Sequence, residues 1–177
     1  MEPIEIVTPR LQLRLFDTGD VAKVFRMSRE PLSMRWLPSQ VYGDEAEATA
    51  AVRYLIEQAQ SPRDPRRGPF VLGIVSRDDG ELIGHVGLSE WRDEVEVGYA
   101  IEESRQGRGF ATEAVRAACA WGIEQFGLER ILGITSTENV ASQRVLIHAG
   151  FVLREEVRMP FQGVEEEVSI FELVRKP

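Results

Sequence analysis

Apolar and polar residues alternate through Leu11-Gln12-Leu13-Arg14-Leu15, a period of two that predicts a strand. Asp17 or Thr18 is placed to cap a helix that runs to about Arg29. From 45 to 60 the apolar spacing changes to three and four, which sets Ala48, Ala51, Val52, Leu55 and Ile56 on one side of a second helix. Strands are then expected at 70–76, 81–90 and 93–101, separated by Asp78-Asp79-Gly80 and by Trp91-Arg92-Asp93. Connections this short join antiparallel neighbours, because a parallel crossover needs a dozen or more residues. A helix follows over 109–126, with Ala111, Ala114, Val115, Ala118, Cys119, Gly122 and Phe126 on its apolar face and Gly127 as its stop. The strand at 131–135 comes after a helical crossover and should lie parallel to 93–101. A short helix at 139–149 stops at Gly150, and strands at 151–157 and 167–174 pair around 160–163. The pattern is that of an α+β domain. Its mixed sheet joins an antiparallel meander to a parallel strand, and about four helices flank it.

Composition narrows the class. A chain of 177 residues is expected to form one domain over 1–177, with a real core. The stretch 61–69 holds three prolines and three arginines and reads as an exposed loop. A net charge of -8 argues against nucleic acid as a partner and is compatible with a cationic amine. One cysteine, Cys119, allows no intramolecular disulfide and makes a Cys-based zinc site a poor expectation. No apolar run approaches the ~20 residues that span a bilayer. The segment before Arg14 has two acids ahead of its first base and no apolar core, unlike a secretory signal. The expectation is a cytoplasmic protein with no membrane partner.

The stretch richest in chemistry is Gln106-Gly107-Arg108-Gly109-Phe110-Ala111, between the strand ending at Ile101 and the long helix. Glycines at a strand-to-helix turn leave backbone N–H groups bare at the positive end of the helix, an arrangement that suits phosphate or pyrophosphate. Arg105 and Arg108 add positive charge. No G-x-x-x-x-G-K-[ST] is present, and a dinucleotide fingerprint starting at Gly107 would need glycine where Thr112 stands.

These residues resemble the Q/R-x-x-G-x-G/A loop of the GNAT superfamily of N-acetyltransferases. Glu96-Val97-Gly98-Tyr99-Ala100-Ile101, Gly109-Phe110-Ala111-Thr112-Glu113-Ala114, Glu138-Asn139-Val140-Ala141-Ser142-Gln143-Arg144-Val145-Leu146 and Gly150-Phe151 are similar to its RimJ/RimL-like branch. Thr8-Pro9-Arg10-Leu11-Gln12-Leu13-Arg14 resembles that branch's opening strand. The branch includes enzymes that acetylate the N-termini of ribosomal proteins. The resemblance implies transfer of acetyl from acetyl-CoA to a primary amine, in a ternary complex and without a metal. The acceptor is either a protein N-terminal α-amine or a small-molecule amine, and a homodimer is possible. The alternative is a non-catalytic acyl-CoA-binding sensor.

The same resemblance implies that Gln106, Gly107, Arg108, Gly109, Phe110, Ala111 and Thr112 hold the pyrophosphate. Tyr99, Ala100 and Ile101 would pair their backbone with the pantetheine arm, and the strand at 131–135 would splay away to make room. Asn139 would contact the arm; it is equally suited to cap its helix. Ser142 is a candidate acid for the leaving thiolate, or a positioning group. Many GNAT members have a tyrosine seven positions after the asparagine, where this chain has Leu146.

The candidate bases are Glu96, Glu94, Glu90 and His85, with Glu96 foremost. Glu94 and Glu96 share a strand face with the small residues Gly98 and Ala100, which suits a groove wall. A glutamate there can have its pKa raised towards the range useful to a base, and His85 could titrate near neutral pH. Cys119 reads as core, and His148 as a partner of its helix's C-terminal dipole. Trp36 and Phe161 could wall the acceptor groove or anchor loops. The run Glu165-Glu166-Glu167 could draw a cationic acceptor or simply be solvated.

Overall fold

The structure is a computed structural model that describes residues 4–60 and 64–175. Residues 61–63 of the predicted loop lie outside the described residues, as do the first three and last two of the chain. The strands are β1 (Glu5–Val7), β2 (Leu11–Arg14), β3 (Phe70–Ser76), β4 (Leu82–Trp91), β5 (Glu94–Ile101), β6 (Arg130–Ser136), β7 (Val152–Phe161) and β8 (Val164–Val174). The helices are α1 (Val21–Ser28), α2 (Pro31–Trp36), α3 (Glu45–Gln60), α4 (Phe110–Phe126) and α5 (Val140–His148). No helix is long and apolar enough to cross a membrane, among the described residues.

All eight strands form one sheet in the order β1-β2-β3-β4-β5-β6-β8-β7. Every neighbouring pair is antiparallel except β5–β6, which is parallel as its helical crossover requires. The fold is therefore the expected mixed α+β sheet. β1 and α2 are additions. Three residues of β1 give too short an alternation to register, and α2 starts at a proline within a stretch that reads as loop. The first predicted helix also begins later. Asp17 caps a single 3-10 turn over Thr18–Asp20, with Asp17 accepting from the Gly19 N–H and Asp20 accepting from the Asp17 N–H. Arg14 fixes that turn to β2 through a two-pronged pair with Asp20, both distances 2.8 Å.

The strand period sorts residues onto two faces. Leu11, Leu13, Leu72, Val86, Val95, Val97 and Ile101 bury against Phe110, Ala114, Val115, Ala118 and Cys119 of α4. The opposite face packs Val75 and Leu82 against Phe16, Val21, Met27, Ala48 and Val52 from the α1–α3 side. Gly127 ends α4 at φ +61, the left-handed stop its position predicts. The last two strands are longer than expected and turn at Gln162 (φ +50) and Gly163 (φ +85), the two-residue geometry that matches strand twist.

Candidate active site

β5 and β6 meet in register at Glu96–Leu132, the one ladder pair between them among the described residues. β4 pairs with β5 along its whole length. On the β6 side, Gly98 to Ile101 therefore form a strand edge with no ladder partner on β6, among the described residues.

The glycine turn lies beyond the far end of that edge. Gly107 and Gly109 both adopt left-handed backbone, φ +71 and +78. A Cβ at Gly107 would meet no atom within 4 Å, and one at Gly109 only Arg10 Nη2 at 3.3 Å. The space that side chains would occupy is thus open. The first bond of α4 runs from the Glu113 N–H to the Gly109 carbonyl at 3.1 Å, so the N–H groups of Phe110, Ala111 and Thr112 point out of the helix end. The Phe110 side chain anchors the turn in the core. The Gln106 amide donates to the Ile101 carbonyl at 2.8 Å and pins the turn to the end of β5.

Charge at the turn differs from expectation. Arg105 does not serve it: its guanidinium lies 2.5 Å from Asp79 and 3.4 Å from Glu102. Arg108 and Arg10 both lie over the Phe110 ring, at 5.0 and 4.7 Å from its centroid. Arg10 also donates to the Arg108 carbonyl at 2.8 Å and to Glu113 at 2.6 Å. Thr8 and the Arg10 N–H bind the other oxygen of Glu113. The start of β2 is thus clamped onto the turn, a role sequence reasoning missed. Its signal was present: Thr8, Arg10 and Glu113 all fall in blocks that carry the resemblance.

Asn139 caps α5, its Oδ1 accepting from the Ser142 N–H at 3.1 Å, which leaves its amide nitrogen to donate elsewhere. The Tyr99 hydroxyl reaches across from β5 to Ser142 of α5, 2.8 Å from Oγ and 3.0 Å from the carbonyl. Burial pushes the Tyr99 phenol well above its ordinary pKa, so it stays protonated. Sequence reasoning gave Tyr99 only a backbone role. Leu146 is buried against Gly133, where an added Cβ would lie 2.4 Å from Leu146 Cδ2. The position that holds tyrosine in many family members is here a packing contact.

The four candidate bases separate. Burial raises the Glu96 carboxyl to about 7, and no cation or hydrogen bond engages it among the described residues. Glu94 is held by Arg154 at 3.1 Å and Arg130 at 3.6 Å. Glu90 is exposed. Burial pushes His85 down to about 4, which corrects the expectation that it could titrate near neutrality. Cys119 is fully buried and its thiol is pushed up, as a core residue.

The α1–α3 side of β4 and β5 carries His85, Gly87 and Ser89 opposite Ala100, Gly98 and Glu96. A cavity of about 300 Å³ lies over this strip, roofed by α1, α2 and α3. Leu37 lines it and Trp36 does not, while Phe161 packs with Leu132, Val168 and Ile170. Ser39 donates to Gln162 at 3.2 Å and joins the segment after α2 to the tip of the β7–β8 turn. Glu165–Glu167 lie in the β7–β8 ladder away from the cavity.

Comparison with known proteins places this geometry in a family. Residues 10–152 match the model of the acetyltransferase (GNAT) domain. The chain belongs to the GNAT acetyltransferases and is an N-acetyltransferase by descent. It is 29% identical over 182 residues to the uncharacterized N-acetyltransferase YoaA of Bacillus subtilis, covering 99% of this chain and 98% of the relative. Among solved structures it shares its fold with a RimL ribosomal L7/L12 alpha-N-protein acetyltransferase in complex with coenzyme A, at TM-score 0.80 and 20% identity over 98% of each chain. It shares it equally with the ribosomal-protein-S5-alanine acetyltransferase of Vibrio fischeri, at TM-score 0.79 and 22% identity over 97% of this chain and 96% of that one.

Proposed function

We propose that this protein transfers acetyl from acetyl-CoA directly to a primary amine, with both bound in the β5–β6 cleft and the cavity beside it. The observation that carries the reading is continuity. A bare helix N-terminus, an open strand edge and a glutamate raised to about 7 follow one another along β5 and α4. From Glu96 to Ile101 the edge advances five residue steps, roughly 17 Å at about 3.3 Å each. That length suits an extended pantetheine arm.

In this reading the N–H groups of the turn from Gln106 to Thr112 hold the pyrophosphate, and Arg108 adds its charge. The backbone of Tyr99, Ala100 and Ile101 pairs with the arm as a further strand would, and the Asn139 amide donates to it. Acetyl-CoA, when bound, supplies the thioester carbonyl and a thiolate leaving group. Glu96 accepts the proton of the acceptor ammonium. The neutral amine then attacks the thioester carbon. As the C–N bond forms and the C–S bond breaks, the nitrogen's second proton passes by way of the Ser142 hydroxyl to the departing sulfur, which leaves the serine as it began. The Tyr99 hydroxyl holds Ser142 in place. No step needs a metal.

Calorimetry with acetyl-CoA tests the cradle. Gly109→Trp puts an indole where the turn is bare and forces a side chain into left-handed backbone, so binding should be lost while the wild type binds. Unchanged affinity in Gly109→Trp would remove the turn from the site. Acetyl-CoA binding without turnover of any amine would favour the sensor.

A further inference from the structure

We propose that the cavity over β4 and β5 selects, as acceptor, one ammonium carried on an uncharged apolar body. This rests on the acetyl-transfer reading and names the substrate class of that same site. The walls are apolar, with Phe16, Met27, Leu37, Tyr42, Leu55 and Val71 facing the space. No lysine or arginine lines it, so nothing is present to pair with a carboxylate or phosphate on the acceptor. Two carboxylates do. Glu102 is neutralised by Lys23 at 2.5 Å and Arg105 at 3.4 Å. Glu30 accepts the Glu103 N–H at 2.9 Å and is the one lining charge without a cation among the described residues. Glu30 sits by Glu103, beyond the Ile101 end of β5 and so at the far end of the floor from Ser89 and Glu96. Between the two ends the walls offer no free charge among the described residues, and the ammonium that reacts is the one at the Glu96 end. A second ammonium along that apolar stretch would be buried without a partner.

The floor is open at Gly98, where an added Cβ would meet no atom within 4 Å. Its ladder partner Gly87 is instead bare because β3 runs close by, an added Cβ there lying 2.7 Å from Val71 Cγ2. The cavity also reaches Ser89, whose ladder partner is Glu96, so a body lying on the glycine floor brings its amine towards the base. An engineered cavity of about 150 Å³ accepts benzene, so about 300 Å³ admits an aromatic ring with a short chain. Apolar walls also lower the pKa of an enclosed ammonium, which favours the neutral nucleophile.

The probe is 2-phenylethylamine, compared with phenylalanine, spermidine and a short peptide beginning with phenylalanine. Binding is measured by calorimetry in the presence of CoA, and turnover by thiol release from acetyl-CoA. Phenylethylamine should bind at least about tenfold more tightly than phenylalanine or spermidine. Gly98→Val fills the floor, and Ala51→Leu narrows the cavity from α3. Each should weaken phenylethylamine about tenfold with the melting temperature kept. Two variants on opposite walls guard against one that merely misfolds. A peptide that competes as well would place the same chemistry on a chain terminus, and the class stands. Equal or tighter binding of spermidine or phenylalanine would overturn the inference, as would unchanged phenylethylamine affinity in both variants. Faster acetylation of spermidine would leave acetyl transfer intact and remove this inference alone. Phenylethylamine that binds without being acetylated would do the reverse.

Discussion

At the scale of single residues, the account turns on a carboxyl held near neutrality by burial alone. Glu96 has Ser89 across the ladder and Leu132 on the β6 side, and the nearest acid on its strand, Glu94, is engaged by two arginines. A base must be unprotonated, so turnover should rise with pH through about 7. Glu96→Gln should abolish that rise and lower turnover by roughly a hundredfold while acetyl-CoA affinity holds. The same shift bears on folding. A carboxyl whose folded pKa lies above its unfolded one lends stability below about 4.5 that is lost as pH climbs through about 7, so the advantage of the wild type over Glu96→Gln should shrink across that window in thermal melts. Tyr99→Phe should cost about tenfold in turnover through Ser142, and Ser142→Ala at least as much, each with little change in acetyl-CoA binding. Initial rates at saturating acetyl-CoA check both. Glu96 was legible because the period of two placed it beside Gly98 and Ala100. The Tyr99–Ser142 bond was not, because it joins residues 43 apart across a gap that only the sheet topology creates.

At the scale of elements, the working unit is β5, its glycine turn and α4. The turn is rigid because other elements hold it: Gln106 ties it to β5, and Arg10 ties it to β2 and α4. Arg10→Ala removes the guanidinium's bonds to Glu113 and to the Arg108 carbonyl and its contact with the Phe110 ring. Glu113, whose carboxyl burial raises but Thr8 and Arg10 together hold below its ordinary range, is left with Thr8 and a backbone N–H. The variant should lose on the order of 1–3 kcal/mol of stability and bind acetyl-CoA less tightly. Denaturant melts with and without acetyl-CoA separate the two effects. Glycine spacing made the turn readable, and helix periodicity made α3 and α4 readable almost to the residue. α2 was hidden because six residues opening on proline carry no period. Arg105 was misread because proximity in sequence says nothing about Asp79, which comes from the β3–β4 turn.

At the scale of the molecule, the parallel β5–β6 junction divides the labour. One side of the sheet closes into a core under α4, and the other retains space under α1–α3. The cavity reaches Ser89, the ladder partner of Glu96, and Glu96 itself stands at the β5–β6 register pair, so in the proposed reaction the two ligands approach it from different sides. The alternating strands fixed the mixed sheet in advance. The cavity could not be foreseen, because it depends on α2 and the segment after it closing over Gly87 and Gly98. The net charge of -8 favours approach of cationic amines at long range, while the apolar walls decide which can enter. The most direct test of the central claim is release of CoA thiol from acetyl-CoA on adding a mixed panel of amines. The panel holds peptides with varied N-termini, alkyl and aryl monoamines, polyamines, amino acids and aminoglycosides. The account predicts release that depends on the amine, with one acetyl group gained by the acceptor. Bound acetyl-CoA with no release against any member would contradict it.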